Sequence, residues 1–336
     1  MGGQLLGCIE KNGGNMTQSA YTPALSIVIP VYNEAENIPD LYEALKKTLD
    51  DAKISFEIIM VDDGSRDNSL EIIRKLSESD SRVRYASFSR NFGHEPASSC
   101  GFRMTEGNAA VLMDADMQDP VDLIPEMFSK WQEGYEVVHA RRSARDGESL
   151  LKKSSSFAFY RLINLFSDIK LPVDVGDFRL VDRKVVEAFN RFTERSRFVR
   201  GLFSWVGYRQ TIIEYERLPR RRGKTKYNWL RLLLLSMDAL FGFSLVPLRL
   251  CMLSGIATVI FSFIITFVII FQKLFLNLEI QGYALLTAGM FMLGGVQLTF
   301  MGVLGEYTGK IFREVQGRPL YIVKESSDDP CGGKAR

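Results

Sequence analysis

The sequence predicts an α/β domain with a mixed, mostly parallel sheet, followed by interfacial helices and two transmembrane helices. Three observations predict it. Between residues 25 and 207, short β-rich runs alternate with segments of helical periodicity, the pattern of strands joined by crossover helices. Residues 250–309 contain only Lys273, Glu279 and Glu306 as charged residues. The rest of the chain is densely charged, so the net charge of +2 and the mean hydropathy of -0.01 are sums over two unlike parts.

Taken in order, residues 1–22 are Gly- and Asn-rich with no long apolar run, and read as a disordered leader. Residues 23–227 form the soluble domain. Its strand candidates are 25–30, 56–61, 83–87, 109–113 and 135–140, with helices at 37–51, 69–79 and 123–133. Residues 150–166 (LLKKSSSFAFYRLINLF) read equally as an interfacial helix or as an amphipathic helix of the soluble domain. Residues 228–247 are expected to form an interfacial juxtamembrane helix, because an apolar run there is broken by Arg231 and Asp238 and ends at Pro247.

Residues 248–309 are expected to form a two-helix transmembrane hairpin. The uncharged stretches 250–271 and 281–305 both exceed the roughly 20 residues that cross a bilayer core. Arg220, Arg221, Arg222, Lys224 and Lys226 precede the first span, and Lys310, Arg313 and Arg318 follow the second. The positive-inside rule therefore places the soluble domain and the tail, 310–336, on the cytoplasmic side of an inner or plasma membrane.

Composition removes several classes of function. A charge of +2 from 42 basic and 40 acidic residues is too small for a whole-chain nucleic-acid binder. Cys8, Cys100, Cys251 and Cys331 form no CxxC, and the two histidines are His94 and His139. Disulfide frameworks, structural zinc and Ser-His-Asp hydrolysis are thus disfavoured. Neither GxxxxGK[ST] nor GxGxxG follows the first strand, which argues against kinases, NTPases and dehydrogenases.

Ligands of open parallel sheets bind at the carboxyl ends of strands. Three of those ends are polar: PVYNE at 30–34, DDGSRD at 62–67 and DADMQDP at 114–120. Any one of them could be a turn or a cap, but all three share one edge. Asp114, Asp116 and Gln118 offer hard oxygen donors on a tight loop, which suits Mg2+ or Mn2+ and leaves coordination sites for phosphate oxygens. A metal-bound nucleotide diphosphate is the natural ligand.

With those motifs the chain resembles the family 2 glycosyltransferases of the GT-A fold over about residues 25–323. VGDFRL at 175–180, RGLFSWVG at 200–207 and RGKTKY at 222–227, followed by two spans, are similar to the polyprenyl-phosphate glycosyltransferases. RNFGH at 90–94 and the two-span tail most resemble the bacterial enzymes that glucosylate undecaprenyl phosphate; dolichol-phosphate mannose synthase is related. The absence of QxxRW separates the chain from processive polysaccharide synthases.

The resemblance implies that Pro30, Tyr32, Glu34 and Asp62 surround the base and ribose. Asp114 would lie near the ribose or metal, and Asp116 with Gln118 would hold the metal. Asp177 matches the catalytic-base position. Arg200, Arg222, Lys224 and Lys226, with Arg141 or Arg142, would hold donor and acceptor phosphates. His94 reads as a site wall or nucleotide contact and His139 as structural. The implied partners are a nucleotide-sugar donor, a polyprenyl-phosphate acceptor and membrane lipid, but no nucleic acid. A homo-oligomer up to a tetramer, a separate flippase and a downstream glycosyltransferase complete the expectation.

Overall fold

A computed structural model describes residues 22–142, 175–195, 197, 199–215, 246–275 and 282–328. Residues 1–21 of the expected leader 1–22, the segment 150–166, most of the juxtamembrane helix 228–247, and Arg222, Lys224 and Lys226 lie outside the described residues.

Buried apolar strands build the centre. β1 (Leu25–Val31), β2 (Phe56–Asp62), β3 (Val83–Phe88) and β4 (Ala109–Leu112) run parallel. Between them stand α1 (Ile38–Asp51), α2 (Ser69–Ser79) and α3 (His94–Met104). A 3-10 turn (Val121–Leu123) and α4 (Ile124–Gln132) lead into β5 (Val137–Arg142). There follow β6 (Val175–Asp182), α5 (Arg183–Asn190), α6 (Val199–Trp205) and β7 (Gln210–Tyr215). Two long helices, α7 (Val246–Phe275) and α8 (Tyr283–Gln316), precede β8 (Val323–Ser326).

The eight strands are ordered β7-β5-β6-β4-β1-β2-β3-β8. β6 is antiparallel to β4 and β5, and β8 is antiparallel to β3, so the sheet is mixed but mostly parallel. Both of its faces are covered. Leu25, Ile27, Ile29 and Val31 of β1 enter one core with Leu41 and Leu45 of α1 and Met127 of α4. Val28 enters the opposite core with Phe102, Phe189 and Phe203. This two-sided burial explains why the central strands read as unbroken apolar runs.

α3 escapes sequence periodicity for a physical reason. Its buried residues are small, Ala97, Ser98, Ser99, Cys100 and Gly101, together with Phe102. Ser98 and Ser99 turn their hydroxyls back to the carbonyls of His94 and Glu95, each at 2.9 Å. A Cβ on Gly101 would stand 2.2 Å from Val28 Cγ1, so close helix–strand contact replaces a stripe of large apolar residues.

The expected tail, 310–336, is more than a tail. β8 is the sheet's eighth strand, so the soluble domain draws on residues far beyond 227. Tyr321 stacks on Phe88 at 4.8 Å, and Glu325 receives two hydrogen bonds from Arg74, at 2.8 and 2.6 Å. The cause is nonlocal: β8 covers the otherwise open edge of β3.

Among the described residues one helix is long and apolar enough to cross a membrane, over Leu248–Val268, with mean hydropathy 2.3. α8 has 34 residues, about 51 Å at 1.5 Å per residue. Its last turns reach the soluble domain, where the Arg195 amide donates to Glu314 Oε1 at 2.7 Å and the Arg195 guanidinium donates to the Arg318 carbonyl. Gly317 ends the helix in the left-handed region at φ 63.

Candidate active site

The loops after β1 and β2 are stitched to each other. Ser65 Oγ accepts from the Asn33 amide (3.0 Å), Asn33 Oδ1 from the Arg66 amide (2.7 Å), Ser69 Oγ from the Glu34 amide (3.0 Å) and Asp67 Oδ2 from the Ala35 amide (3.1 Å). Much of DDGSRD is therefore a clasp that holds PVYNE in place. Pro30 is buried within β1, Tyr32 is exposed at its end, and Glu34 Oε2 accepts from Asn37 Nδ2 at 2.6 Å.

Asp62 is expected around the base and ribose. It is 1% exposed, with Oδ1 accepting from the Ser65 amide (3.1 Å) and Oδ2 from Ser87 Oγ (2.7 Å). Asp63 is equally committed, accepting from the amides of Phe92 (2.6 Å) and Gly93 (2.9 Å) and from Asn91 Nδ2 (2.8 Å). Burial pushes its carboxyl up, while those two amides pull it down. Gly64, at φ 67, lets the chain turn where a Cβ would meet the Arg90 carbonyl carbon at 2.5 Å.

The β4 side differs. The β4–β6 register ends at Leu112 opposite Arg179, and Asp114 and Asp177 lie two residues beyond that pair, at the same edge of the sheet. The reversed direction of β6 is what carries Asp177, at its start, to the carboxyl edge of the parallel strands. His94 Nε2, from the first turn of α3, stands 3.8 Å from Asp114 Oδ1 and 3.7 Å from Asp177 Oδ2. Burial holds the Asp114 carboxyl well above the usual carboxylate range; His94 opposes the rise, and Asp119, Asp177 and Asp116 add to it.

The rest of DADMQDP is shaped from within. Met117 takes a positive φ of 59, the Gln118 amide donates to Asp116 Oδ1 (3.2 Å), and buried Asp119 accepts from Tyr215 OH (2.9 Å). Among the described residues no three His, Cys, Asp or Glu side chains gather as they would in a closed metal site. The donor chemistry nonetheless suits a hard divalent ion, which takes one or two carboxylates and fills its other positions from water and diphosphate. Crowded carboxylates that raise one another's proton affinity are what such a cation relieves.

Of the expected phosphate contacts, Arg141 and Arg142 end β5 at the same edge of the sheet, and the Arg141 guanidinium pairs with Glu214 of β7. Arg200 is the second residue of α6, whose first amide, on Val199, donates to Glu95 Oε2 at 3.0 Å beside His94. His139 is buried, with Nε2 2.9 Å from Gln210 Oε1, as a structural residue would be.

The model of the family described as glycosyl transferase family 2 matches residues 26–189. The glycosyltransferase YkcC of Bacillus subtilis is 47% identical over 301 residues, covering 90% of this chain and 93% of the relative. The chain belongs to glycosyl transferase family 2. A prophage-derived bactoprenol glucosyl transferase of Shigella flexneri is 40% identical, covering 90% of this chain and 98% of that one. A prophage bactoprenol glucosyl transferase homolog of Escherichia coli is 39% identical, covering 89% and 98%. The sheet and its polar edge are thus a family 2, GT-A-like arrangement. The sequence offers His94 as a site wall or nucleotide contact but does not single out Asp63. Asp63 looks like half of a binding motif but anchors the 91–93 loop, and His94 carries no spacing signal that ties it to Asp114 or Asp177.

Proposed function

We propose that this family 2 glycosyltransferase moves a sugar, glucose from UDP-glucose in the first instance, to a polyprenyl phosphate such as undecaprenyl phosphate, with inversion at the anomeric carbon. The observation that carries the reading is Asp177 and Asp114 brought to one edge of the sheet around His94, one carboxylate for the acceptor and one for the donor. The bactoprenol names of the Shigella and Escherichia relatives support the acceptor class.

In this reading Pro30, Tyr32 and Glu34 border the nucleoside, while Asp62 shapes that wall from behind. Asp114, Asp116 and Gln118 would hold Mg2+ or Mn2+. When bound, the ion stabilises charge on the departing diphosphate. Arg141, Arg142, Arg200, Arg222, Lys224 and Lys226 meet donor and acceptor phosphates. A phosphate monoester has a second pKa of about 6 and is mostly dianionic at pH 7, so Asp177 orients the acceptor or a sugar hydroxyl as much as it takes a proton.

The membrane supplies the acceptor. α7 and α8 form a spanning hairpin, with the soluble domain on the cytoplasmic side beside Lys310, Arg313 and Arg318. The length of α8 beyond a hydrocarbon core of about 30 Å carries the chain up to β8, which ties the catalytic domain to the membrane anchor. A homo-oligomer, a flippase and a downstream transferase complete the pathway.

The test incubates the purified full chain, Mg2+ or Mn2+ and undecaprenyl phosphate with a panel of labelled UDP- and GDP-sugars. A lipid-extractable product from UDP-glucose is expected. Product from a mannosyl or aminopentosyl donor would reassign the sugar. Nucleotide-sugar binding without product from any donor would identify a non-catalytic sensor instead.

A further inference from the structure

The Asp177 carboxylate is met on both sides. The Arg179 guanidinium lies 3.7 Å from Oδ1, and His94 Nε2 lies 3.7 Å from Oδ2. Arg179 is 0% exposed and cannot wander: it donates to the carbonyls of Asp177 (3.1 Å) and Gly176 (2.8 Å), with its guanidinium 5.1 Å from the centre of the Phe203 ring. One oxygen of Asp177 is thus referenced to the core of the domain. The other is referenced to the first turn of α3.

That turn is itself fixed. Asp63 grips the amides of Phe92 and Gly93 and the side chain of Asn91, immediately before His94, and Glu95 Oε2 accepts from the Val199 amide at the start of α6. An imidazole has two side-chain torsions, so holding it in place costs less entropy than holding a Lys or Arg at the same spot. His94 also lies 3.8 Å from Asp114 Oδ1, so the same ring stands near both carboxylates.

We propose that His94 is a positioning residue that, with Arg179, clamps the plane of the Asp177 carboxylate toward the acceptor. The proposal rests on the glycosyltransferase reading above and adds to it a residue that acts through Asp177. Displacement of a reacting group by about 1 Å can cost about 100-fold in rate. The loss of His94 therefore acts on turnover rather than on donor affinity.

The experiment compares the wild-type full chain with His94→Gln, His94→Asn and Asp177→Asn, and the double variant His94→Gln/Asp177→Asn. The probes are UDP-glucose and undecaprenyl phosphate, and the readouts are kcat, donor KM, UDP affinity, thermal midpoint and a structure of His94→Gln. His94→Gln is expected to lower kcat about 10- to 100-fold with UDP affinity and midpoint unchanged, and with the Asp177 side chain turned from its wild-type direction. His94→Asn, whose shorter side chain sets its amide near the Nδ1 rather than the Nε2 position that meets Asp177, is expected to lose at least as much. In the Asp177→Asn background the same change has less than about a twofold effect, since residues acting through one another are not additive.

A kcat within twofold of wild type, a loss that multiplies fully with Asp177→Asn, or a loss explained by weaker UDP binding would each overturn the proposal. If the wild type transfers no sugar from any donor, the functional reading falls by itself. The clamp is then judged by the structure of His94→Gln, where an unmoved Asp177 refutes it.

Discussion

The ends of β2 and β4 flank β1 on one sheet edge, and both carry aspartates, yet the two sets are used in opposite ways. Asp62 and Asp63 are 1% and 3% exposed, and backbone amides, hydroxyls and an amide side chain satisfy all four oxygens. The side chains of Asp114, beyond β4, and Asp177, on the adjacent β6, are 31% and 13% exposed and share His94 at ion-pair distance. Carboxylates surrounded by donors build a scaffold. Carboxylates crowded by other carboxylates await a cation or a substrate.

Substitutions can break or sharpen that contrast. The largest effect is expected for Asp177→Asn: a fall in kcat of roughly 10²- to 10⁴-fold, the usual range for a lost general base, with UDP affinity retained in a direct binding assay. Near-normal turnover on a fully ionised acceptor would restrict Asp177 to positioning. Asp116→Asn should lower kcat/KM about 100-fold by weakening stabilisation of the leaving diphosphate, and excess Mn2+ should restore part of it in steady-state assays.

On the β2 side the readout moves from rate to stability. Asp62→Asn leaves a buried hydrogen-bond network one acceptor short, and a loss of about 1–3 kcal/mol in denaturant unfolding is expected, with the folded fraction still binding UDP. Unchanged stability together with lost UDP binding would instead make Asp62 the nucleotide contact that the motif suggests. Gly64→Ala forces an L side chain into φ 67 against the Arg90 backbone, and about 2 kcal/mol should be lost. Arg74→Gln, which removes a half-exposed pair with Glu325 of β8, should cost no more than about 1 kcal/mol. Its use is to measure how firmly β8 is held at the sheet edge.

Several elements were legible because their signals are local. α2 spans Ser69–Ser79 as its periodicity predicts, and β1 and β2 each extend one residue beyond the apolar run that marks them. β5 starts at Val137 rather than at Tyr135, which packs beside the core instead. α3 was hidden by its small buried residues, and β8 by its polar composition, VKES. The polar strand ends marked the right edge of the sheet, yet motif membership could not separate Asp62 from Asp114, since both follow apolar strands with the same chemistry.

The sequence by itself determined the α/β alternation, the polar edge, the apolar helix over Leu248–Val268 and the divided charge, because periods of 2 and 3.6 and runs without charge are properties of neighbouring residues. Only the tertiary structure decided that β6 reverses to bring Asp177 to the edge that carries Asp114, that Asp63 holds the 91–93 loop just before His94, and that β8 returns from beyond α8 to extend the sheet. Those are pairings between distant segments. Their partners are chosen by packing and hydrogen-bond satisfaction across the whole domain, which no local window of sequence contains.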